Sequence, residues 1–210
     1  MFGYISLPVD MLVRSLTTGL NPRQNFKLNE AGSEYPYITG KDIFNSTINV
    51  SSRTDRITLD ALNLINKRAR IESNSLLFAS TGTGTVGRMA MVKDYKNDWG
   101  ISETLYVIKT DERVVSPTYL MYTLCSQGAK SQFEPKISKG SVPHLKISDL
   151  LQVQIPVPAL EKQERIVSIL NRFNTLCNDI SEGLPAEIEA RQKQYEYYRD
   201  KLLSFKELKP

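Results

Sequence analysis

The chain has 210 residues, of which 40% are hydrophobic and 24% charged, a composition typical of a folded protein with its own core. Its 27 lysines and arginines exceed its 23 aspartates and glutamates by 4, and this whole excess lies in residues 1–150. There is no apolar run near 18 residues and no signal-peptide pattern, and two cysteines with one histidine form neither a disulfide framework nor an ordinary zinc site. We therefore expect a cytoplasmic protein without a membrane span.

Short apolar and β-branched runs separated by turn residues predict a mixed, β-rich domain over residues 1–157. The predicted strands cover residues 35–39, 75–79, 88–92 and 105–108. Two helices interrupt them. One covers residues 59–69, where apolar residues recur at helical spacing, and the other covers 117–132, after Ser116 as N-cap and Pro117 as first helical residue.

Residues 158–210 predict a helical arm, because the two prolines at 156 and 158 end the preceding extended segment. A shorter first helix ends before Gly183, and a longer one runs from about 184 to about 205. The second helix carries a coiled-coil-like stripe, with Arg191 as the one exception, formed by Leu184, Ile188, Tyr195, Tyr198, Leu202 and Phe205. This stripe either closes on the preceding helix as an αα-hairpin or forms a seam for another polypeptide. The predicted fold class is thus α+β.

Residues 82–87, the glycine loop, match the dinucleotide-binding spacing G-x-G-x-x-G. A strand is predicted on both sides, whereas a nucleotide-binding turn is followed by a helix, so a tight loop between strands is the favoured interpretation. The lone His144 fits a loop or core position better than a catalytic base, and we predict no catalytic residue and no metal ligand. A nucleotide-binding enzyme that uses this loop remains the enzymatic alternative.

Basic and hydroxyl side chains in turns are the candidates for DNA contacts, since lysine and arginine suit phosphates and guanine edges. We select loop residues because loops present side chains outward. The candidate DNA-binding residues are Arg23, Lys27, Lys41, Thr83, Thr85, Arg88, Lys136, Lys139 and Ser141.

Several stretches in order along the chain resemble the specificity subunits of type I restriction-modification systems. The most specific are residues 155–166, with the sequence IPVPALEKQERI, and residues 183–199. The others are residues 35–38 with 42–43, 76–78, the glycine loop, and 140–141 with 144–145.

The resemblance implies a non-catalytic subunit with a target-recognition domain (1–157) and a helical spacer and dimerisation region (158–210). Such subunits bind double-stranded DNA and dock the methyltransferase subunit, which carries S-adenosylmethionine, and through it the restriction subunit, which uses ATP. No cofactor is expected on this chain itself.

The family normally has two recognition domains, each followed by a helical region. By this resemblance the chain has one of each, and the N-terminal part of its recognition domain is shorter than usual. A helix of about 22 residues spans about 33 Å, close to one turn of DNA. We therefore expect a homodimer that reads an interrupted palindrome. The alternatives are a coiled-coil adaptor without a DNA role and a degenerate fragment without a functional partner.

Overall fold

The structure of the chain is a computed structural model that describes residues 3–93, 98–178 and 185–204, with side chains described outside 175–188. Its strands are β1 Ile5–Pro8, β2 Val13–Thr18, β3 Tyr35–Ile38, β4 Ile43–Phe44, β5 Thr47–Ile48, β6 Arg56–Ile57, β7 Leu76–Ala79, β8 Met89–Met91, β9 Gly100–Ile101, β10 Leu105–Thr110 and β11 Gln154–Val157. Its α-helices are α1 Pro22–Asn25, α2 Leu59–Ala69, α3 Pro117–Leu124, α4 Gln127–Phe133, α5 Ile147–Leu151, α6 Leu160–Asn178 and α7 Pro185–Leu203.

The chain divides into two compact units. The helical unit comprises Met1–Leu12, Asp111–Pro135 and Leu151–Pro210, and the sheet unit comprises Val13–Thr110 and Lys136–Leu150. The boundary predicted at residue 157 separates DNA reading from spacing, and that division by function stays a prediction. The two units defined by contacts have other boundaries than residue 157, because each unit is assembled from segments that are distant along the chain.

The sheet unit is built around a four-stranded antiparallel sheet with strand order β2-β10-β7-β8. All four residues of β7 are buried, as expected for a central strand with an uninterrupted apolar run. A smaller sheet has the order β6-β3-β9, and β4 pairs with β5 as a hairpin. The four predicted strands are confirmed to within two residues at each end. The sequence patterns do not predict β2 or the β4–β5 hairpin.

Helix α2 has the bounds predicted from its apolar spacing. The Thr58 hydroxyl accepts a hydrogen bond from the Ala61 amide at 3.4 Å, which caps the first turn. Its buried face consists of Ala61, Leu62, Ile65 and Ala69. This face joins the core of the sheet unit, together with Leu77 of β7 and other buried strand residues.

The helical unit contains an antiparallel pair, β1 with β11, in which Ile5 lies opposite Val157. The single helix predicted over 117–132 is wrong, because the structure has two helices, α3 and α4. Ser126 between them is extended, with φ −73° and ψ 157°, and its hydroxyl donates to the Thr123 carbonyl at 2.6 Å. This local side-chain hydrogen bond competes with helix continuation, as serine often does.

The predicted helical arm corresponds to α6 and α7. Each spans 19 described residues, so the predicted short helix followed by a longer one is not found. Nineteen residues extend about 28 Å rather than about 33 Å. Leu184 and Phe205 lie outside the described residues, and so does the side chain of Ile188. Within the described ranges, no helix is long and apolar enough to cross a membrane.

Candidate nucleic-acid interface

The glycine loop connects two antiparallel neighbours, β7 and β8, as the sequence predicts. Gly82, Gly84 and Gly87 have positive φ angles of 119°, 70° and 87°. A Cβ atom on Gly82 would lie only 2.5 Å from Thr85 Oγ1, so this position requires glycine for space as well as for conformation. Because strand β8 follows the loop, the helix that a dinucleotide-binding turn needs is absent from this place.

The tip of the glycine loop presents unused hydrogen-bond donors. The amide of Thr85 donates to the Gly82 carbonyl at 3.2 Å, whereas the amides of Thr83 and Gly84 have no acceptor among the described residues. The Thr83 side chain is exposed. The Thr85 hydroxyl instead donates to the Thr81 carbonyl at 3.1 Å, which makes it a support of the loop. Adjacent free amides of this kind form anion-binding concavities.

A second loop, the serine loop (residues 138–144), is closed by its two ends. The Ser138 amide donates to the His144 carbonyl at 2.9 Å, and the His144 amide donates to Ser138 Oγ at 3.0 Å. The exposed tip between them contains Lys139, Ser141 and Val142. His144 is half-buried and lies in a loop, in agreement with the sequence prediction.

Hydrogen bonds join the serine loop to the glycine loop, although more than fifty residues separate them along the chain. The Gly82 amide donates to the Pro143 carbonyl at 3.0 Å, and the Leu145 amide donates to the Ser80 carbonyl at 2.9 Å. Between these bonds, Thr81 pairs with His144 as an isolated antiparallel bridge. The structure therefore places the predicted candidates Thr83, Lys139 and Ser141 on neighbouring loops.

The turn that contains Lys41 lies on the other side of the glycine loop. A Cβ atom on Gly40 would lie 3.3 Å from Thr85 Cβ, so the turn and the loop are in close contact. Arg88 Nη1 donates to the Ile43 carbonyl at 3.2 Å and so holds strand β4 beside the loop. This contact gives Arg88 a positioning role, and its predicted contact with DNA stays a prediction. The Lys41 side chain is exposed.

Asp42 is a supporting residue that the sequence predictions miss. Its Oδ2 accepts from the Thr39 amide and from Thr39 Oγ1, each at 2.8 Å, and its Oδ1 accepts from Thr54 Oγ1 at 2.8 Å. With Thr39 it forms a capping box around Gly40–Asp42. The spacing of a threonine three residues before an acidic residue is the sequence signal for this arrangement.

The remaining basic candidates have other surroundings. Lys136 Nζ lies 3.8 Å from Asp149 Oδ1, so a carboxylate partly neutralises its charge. Arg23 and Lys27 are exposed on and after α1, where Asn21 Oδ1 accepts from the Arg23 amide at 2.9 Å. The neighbouring Phe26 packs edge-on against Tyr37, with ring centroids 5.6 Å apart. Arg23 and Lys27 thus lie on a different loop from Lys41, Thr83 and Lys139.

The two units differ in charge. Residues 13–110 and 136–150, the sheet unit, contain 16 lysines and arginines against 10 aspartates and glutamates, a net charge of +6. The rest of the chain contains 11 against 13, a net charge of −2. The positive excess noted in the sequence is therefore concentrated in the unit that contains every candidate DNA-binding residue.

The described part of the predicted partner stripe lies on α7. Tyr198 stacks on Phe173 of α6 with ring centroids 5.6 Å apart, so the two helices contact each other as an αα-hairpin would. Tyr195 and Leu202 are half-buried, and the neighbouring Leu203, outside the predicted stripe, is buried. A seam for another polypeptide stays a prediction. Among the described residues, no three histidine, cysteine or acidic side chains form a group that could hold a metal ion.

A family model described as Type I restriction modification DNA specificity domain matches residues 16–190. The chain is 35% identical over 176 residues to the EcoR124I/EcoR124II type I restriction enzyme specificity subunit of Escherichia coli, a match that covers 81% of this chain and 41% of that protein. It is 39% identical over 127 residues to a putative type I restriction enzyme specificity subunit of Haemophilus influenzae, covering 60% of this chain and 31% of that one.

Solved structures share the fold. The HsdS subunit from Thermoanaerobacter tengcongensis superposes with a TM-score of 0.56 at 20% identity, over 86% of this chain and 43% of that one. A chain from a structural study of the complex assembly and conformational transition of the type I R-M system superposes with a TM-score of 0.59 at 20% identity. The match covers 91% of this chain and 46% of that one. The chain thus spans less than half the length of these relatives. By the match over residues 16–190, it belongs to the family of type I restriction-modification DNA specificity domains.

Proposed function

We propose that the chain reads DNA for a type I restriction-modification system and catalyses no reaction itself. In this proposal the sheet unit binds one half of a split target in double-stranded DNA. The observation that carries it is the meeting of three exposed loops, around Lys41, the glycine loop and Lys139, on a unit with a net charge of +6. Membership of the specificity family supports the same assignment.

The chemistry of these loops suits a DNA backbone. Phosphate oxygens accept hydrogen bonds from lysine ammonium groups and from free backbone amides, such as those of Thr83 and Gly84. Contacts of this kind position a protein on the duplex, and polar side chains beside them, such as Ser141, then reach the base edges. The hydrogen bonds between the glycine loop and the serine loop fix the two backbones relative to each other, which lowers the ordering cost of binding.

Salt-dependent binding of a labelled duplex tests this proposal. We expect the affinity of the full chain to fall steeply with salt, because bound lysines displace counterions. Replacing Lys41 and Lys139 together by alanine should lower the affinity and reduce the slope of log affinity against log salt by about 2. Lys193→Ala is the matched control, because the Lys193 side chain is exposed on α7, and it should leave the slope unchanged. A wild-type chain without salt-dependent binding would overturn the proposal in favour of an adaptor or a non-functional fragment.

We further propose that the helical unit docks the methyltransferase subunit, and through it the restriction subunit, so that S-adenosylmethionine and ATP are bound by those cytoplasmic partners. Two copies of the chain would then pair through α6 and α7 and read an interrupted palindrome. The exposure of Tyr197 on α7 supports such pairing.

Mapping of methylated adenines after co-expression with a cognate methyltransferase subunit tests this assembly. We expect methylation within a two-fold symmetric motif interrupted by a spacer. Each half would be read by one copy. Methylation confined to an asymmetric motif would rule out the homodimer, and absence of sequence-specific methylation would count against docking.

A further inference from the structure

Two exposed apolar side chains flank the glycine loop. Among the described residues of the sheet unit, Phe44 and Val142 are the most exposed large hydrophobic residues, at 61% and 57%. Phe44 follows Ile43, whose carbonyl accepts from Arg88 at the end of the loop. Val142 precedes Pro143, whose carbonyl accepts a hydrogen bond from the amide of Gly82, the first residue of the glycine loop. One exposed apolar residue needs no explanation, but two beside the opposite ends of one candidate DNA-binding loop form a pattern.

The backbone around Phe44 is well defined. Phe44 lies opposite Thr47 in the β4–β5 hairpin, and the two turn residues Asn45 and Ser46 have φ angles of 49° and 57°. Two successive residues with positive φ are the requirement of a type I′ turn, which matches the twist of a two-stranded ribbon. The Asn49 amide donates to the Asp42 carbonyl at 2.8 Å across the base of the hairpin, and the Asp42 carboxylate accepts from Thr39 and Thr54. The ring of Phe44 is therefore presented to solvent on a short, anchored ribbon.

The serine loop fixes the backbone near Val142 in the same manner. Its closing bonds between Ser138 and His144 leave a short exposed tip, and Lys139 lies three residues before Val142. Lys41 likewise lies three residues before Phe44. Each apolar side chain thus has an exposed lysine close by along the chain.

This pairing of a cation with an apolar group matches the major groove of DNA. The groove admits a two-stranded β-ribbon, and the C5 methyl of thymine is the apolar group that its floor displays. A lysine on a phosphate would place the neighbouring apolar side chain over the edges of the bases. Burial of the ring and of the methyl from water would then favour a thymine at that position over other bases.

We propose that Phe44 and Val142 are specificity-determining residues that contact thymine methyl groups in the major groove. This inference rests on the proposed function, since it requires the sheet unit to bind DNA. It adds which side chains discriminate between bases and which base they select.

Selection of duplexes from a library with a randomised segment provides the test, using the full chain together with its cognate methyltransferase subunit. We expect the wild type to select a motif that includes thymine, and Phe44→Ala or Val142→Ala to lose the preference at one thymine each. Replacing that thymine by deoxyuracil removes only the methyl group. It should weaken wild-type binding about fourfold and leave binding by the matching variant unchanged.

Leu59→Ala is the matched control, because Leu59 is an exposed apolar residue of the same unit on α2, and it should keep the whole motif. Circular dichroism melts check that each variant is folded. Three results would overturn this inference but leave the proposed function standing. They are a motif without thymine, variants that keep the full motif, and equal effects of deoxyuracil on wild type and variant. A wild type that selects no sequence would overturn the proposed function, and the inference with it.

Discussion

The hydroxyl of Thr81 lies 2.8 Å from Nδ1 of His144, and this hydrogen bond joins side chains that are 63 residues apart. It lies at the centre of the backbone contacts between the glycine loop and the serine loop. Tyr106 strengthens the same junction from within the core, since its hydroxyl donates to the Leu145 carbonyl at 2.6 Å. The chain's single histidine therefore has a structural role in holding the candidate interface together.

Thr81→Val should loosen this junction. The valine keeps the shape of the side chain but removes the hydroxyl, so we expect a loss of about 1 kcal/mol in stability and threefold to tenfold weaker duplex binding. Hydrogen exchange of residues 138–145 should become faster. Thr83→Val is the matched control, because its hydroxyl is exposed at the loop tip, and it should leave that exchange unchanged. Unchanged exchange in Thr81→Val would mean that the backbone bonds alone hold the loops.

Substitutions of individual glycines by alanine should lower the free energy of unfolding by different amounts, according to the backbone conformation and the space at each position. Gly82→Ala combines a φ of 119° with a Cβ atom 2.5 Å from Thr85 Oγ1, so we expect about 2–3 kcal/mol of destabilisation. Gly84→Ala, with a φ of 70° and open space, should cost about 1 kcal/mol. Gly140→Ala also meets open space and should be neutral or slightly stabilising. Thermal unfolding of the three variants measures this order, and equal costs would contradict it.

Gln163 is a fully buried polar residue on the apolar face of α6. Its Nε2 donates to the carbonyls of Val114 and Pro158, each at 2.9 Å, and its Oε1 accepts from the Ser116 amide at 2.9 Å. Gln163→Ala should destabilise the helical unit by about 2–3 kcal/mol, because buried backbone groups lose their partners. Gln163→Glu should cost at least as much, since its carboxylate cannot donate to two carbonyls.

Chemical denaturation measures both Gln163 variants. Glu164→Ala is the matched control, because the neighbouring Glu164 is exposed on the same helix, and it should change the midpoint little. If Gln163→Ala behaved as this control does, water would be replacing the lost hydrogen bonds.

The carboxylate of Glu72 should make the stability of the sheet unit depend on pH. The hydrogen bond from Lys109 Nζ at 2.7 Å, with a second cation from Arg14 at 3.2 Å, lowers the pKa of Glu72. A lowered folded-state pKa contributes stability above the unfolded pKa, and this contribution disappears as the pH falls through the folded value.

We therefore expect Glu72→Gln to lower stability by at most about 1 kcal/mol at neutral pH, because the side chain is 49% exposed. The difference from wild type should vanish in strong acid. Denaturation curves at several pH values measure it, and Glu30→Gln provides an exposed acidic control. A difference that persists in strong acid would show that packing, rather than charge, is responsible.

Pairing of two chains should depend on the exposed face of α7. Tyr197 is 61% exposed and contacts its neighbour Tyr198, so Tyr197→Asp should leave the α6–α7 contact intact while placing a charge in the proposed seam. We expect at least about tenfold weaker self-association in sedimentation experiments. Lys139→Ala, on the serine loop of the sheet unit, is the control. A wild type that is monomeric at tens of micromolar, with and without the methyltransferase subunit, would contradict pairing.

Local sequence patterns predict much of this fold, because helices, strands and turns depend largely on interactions between residues that are close along the chain. The helical spacing of Leu62, Ile65 and Ala69 predicts α2, and the strands predicted on both sides of the glycine loop identify it as a tight loop between strands. The break at Ser126 was missed because a hydrogen bond to Thr123 decides it. Gln163 was missed because a polar residue in an apolar stripe gains its meaning only from the carbonyls that surround it.

The sequence selects candidate DNA-binding residues one by one but does not indicate how they are arranged in space. Nothing near Gly82 in the sequence indicates that its amide meets the Pro143 carbonyl, because this pairing is non-local. The close approach of Gly40, the neighbour of Lys41, to Thr85 is non-local for the same reason. Residues that are chosen for their type alone therefore divide into those on loops that hydrogen bonds join, such as Thr83 and Lys139, and those on other loops, such as Arg23.

The assembly of each unit from separated segments has a consequence for how a new target preference is acquired. The sheet unit consists of Val13–Thr110 and Lys136–Leu150, with Asp111–Pro135 of the helical unit between them. A recombination event that replaced only the first stretch would pair a foreign glycine loop with the resident serine loop. Under the proposed function, a working recognition surface is therefore inherited only when both stretches are exchanged together.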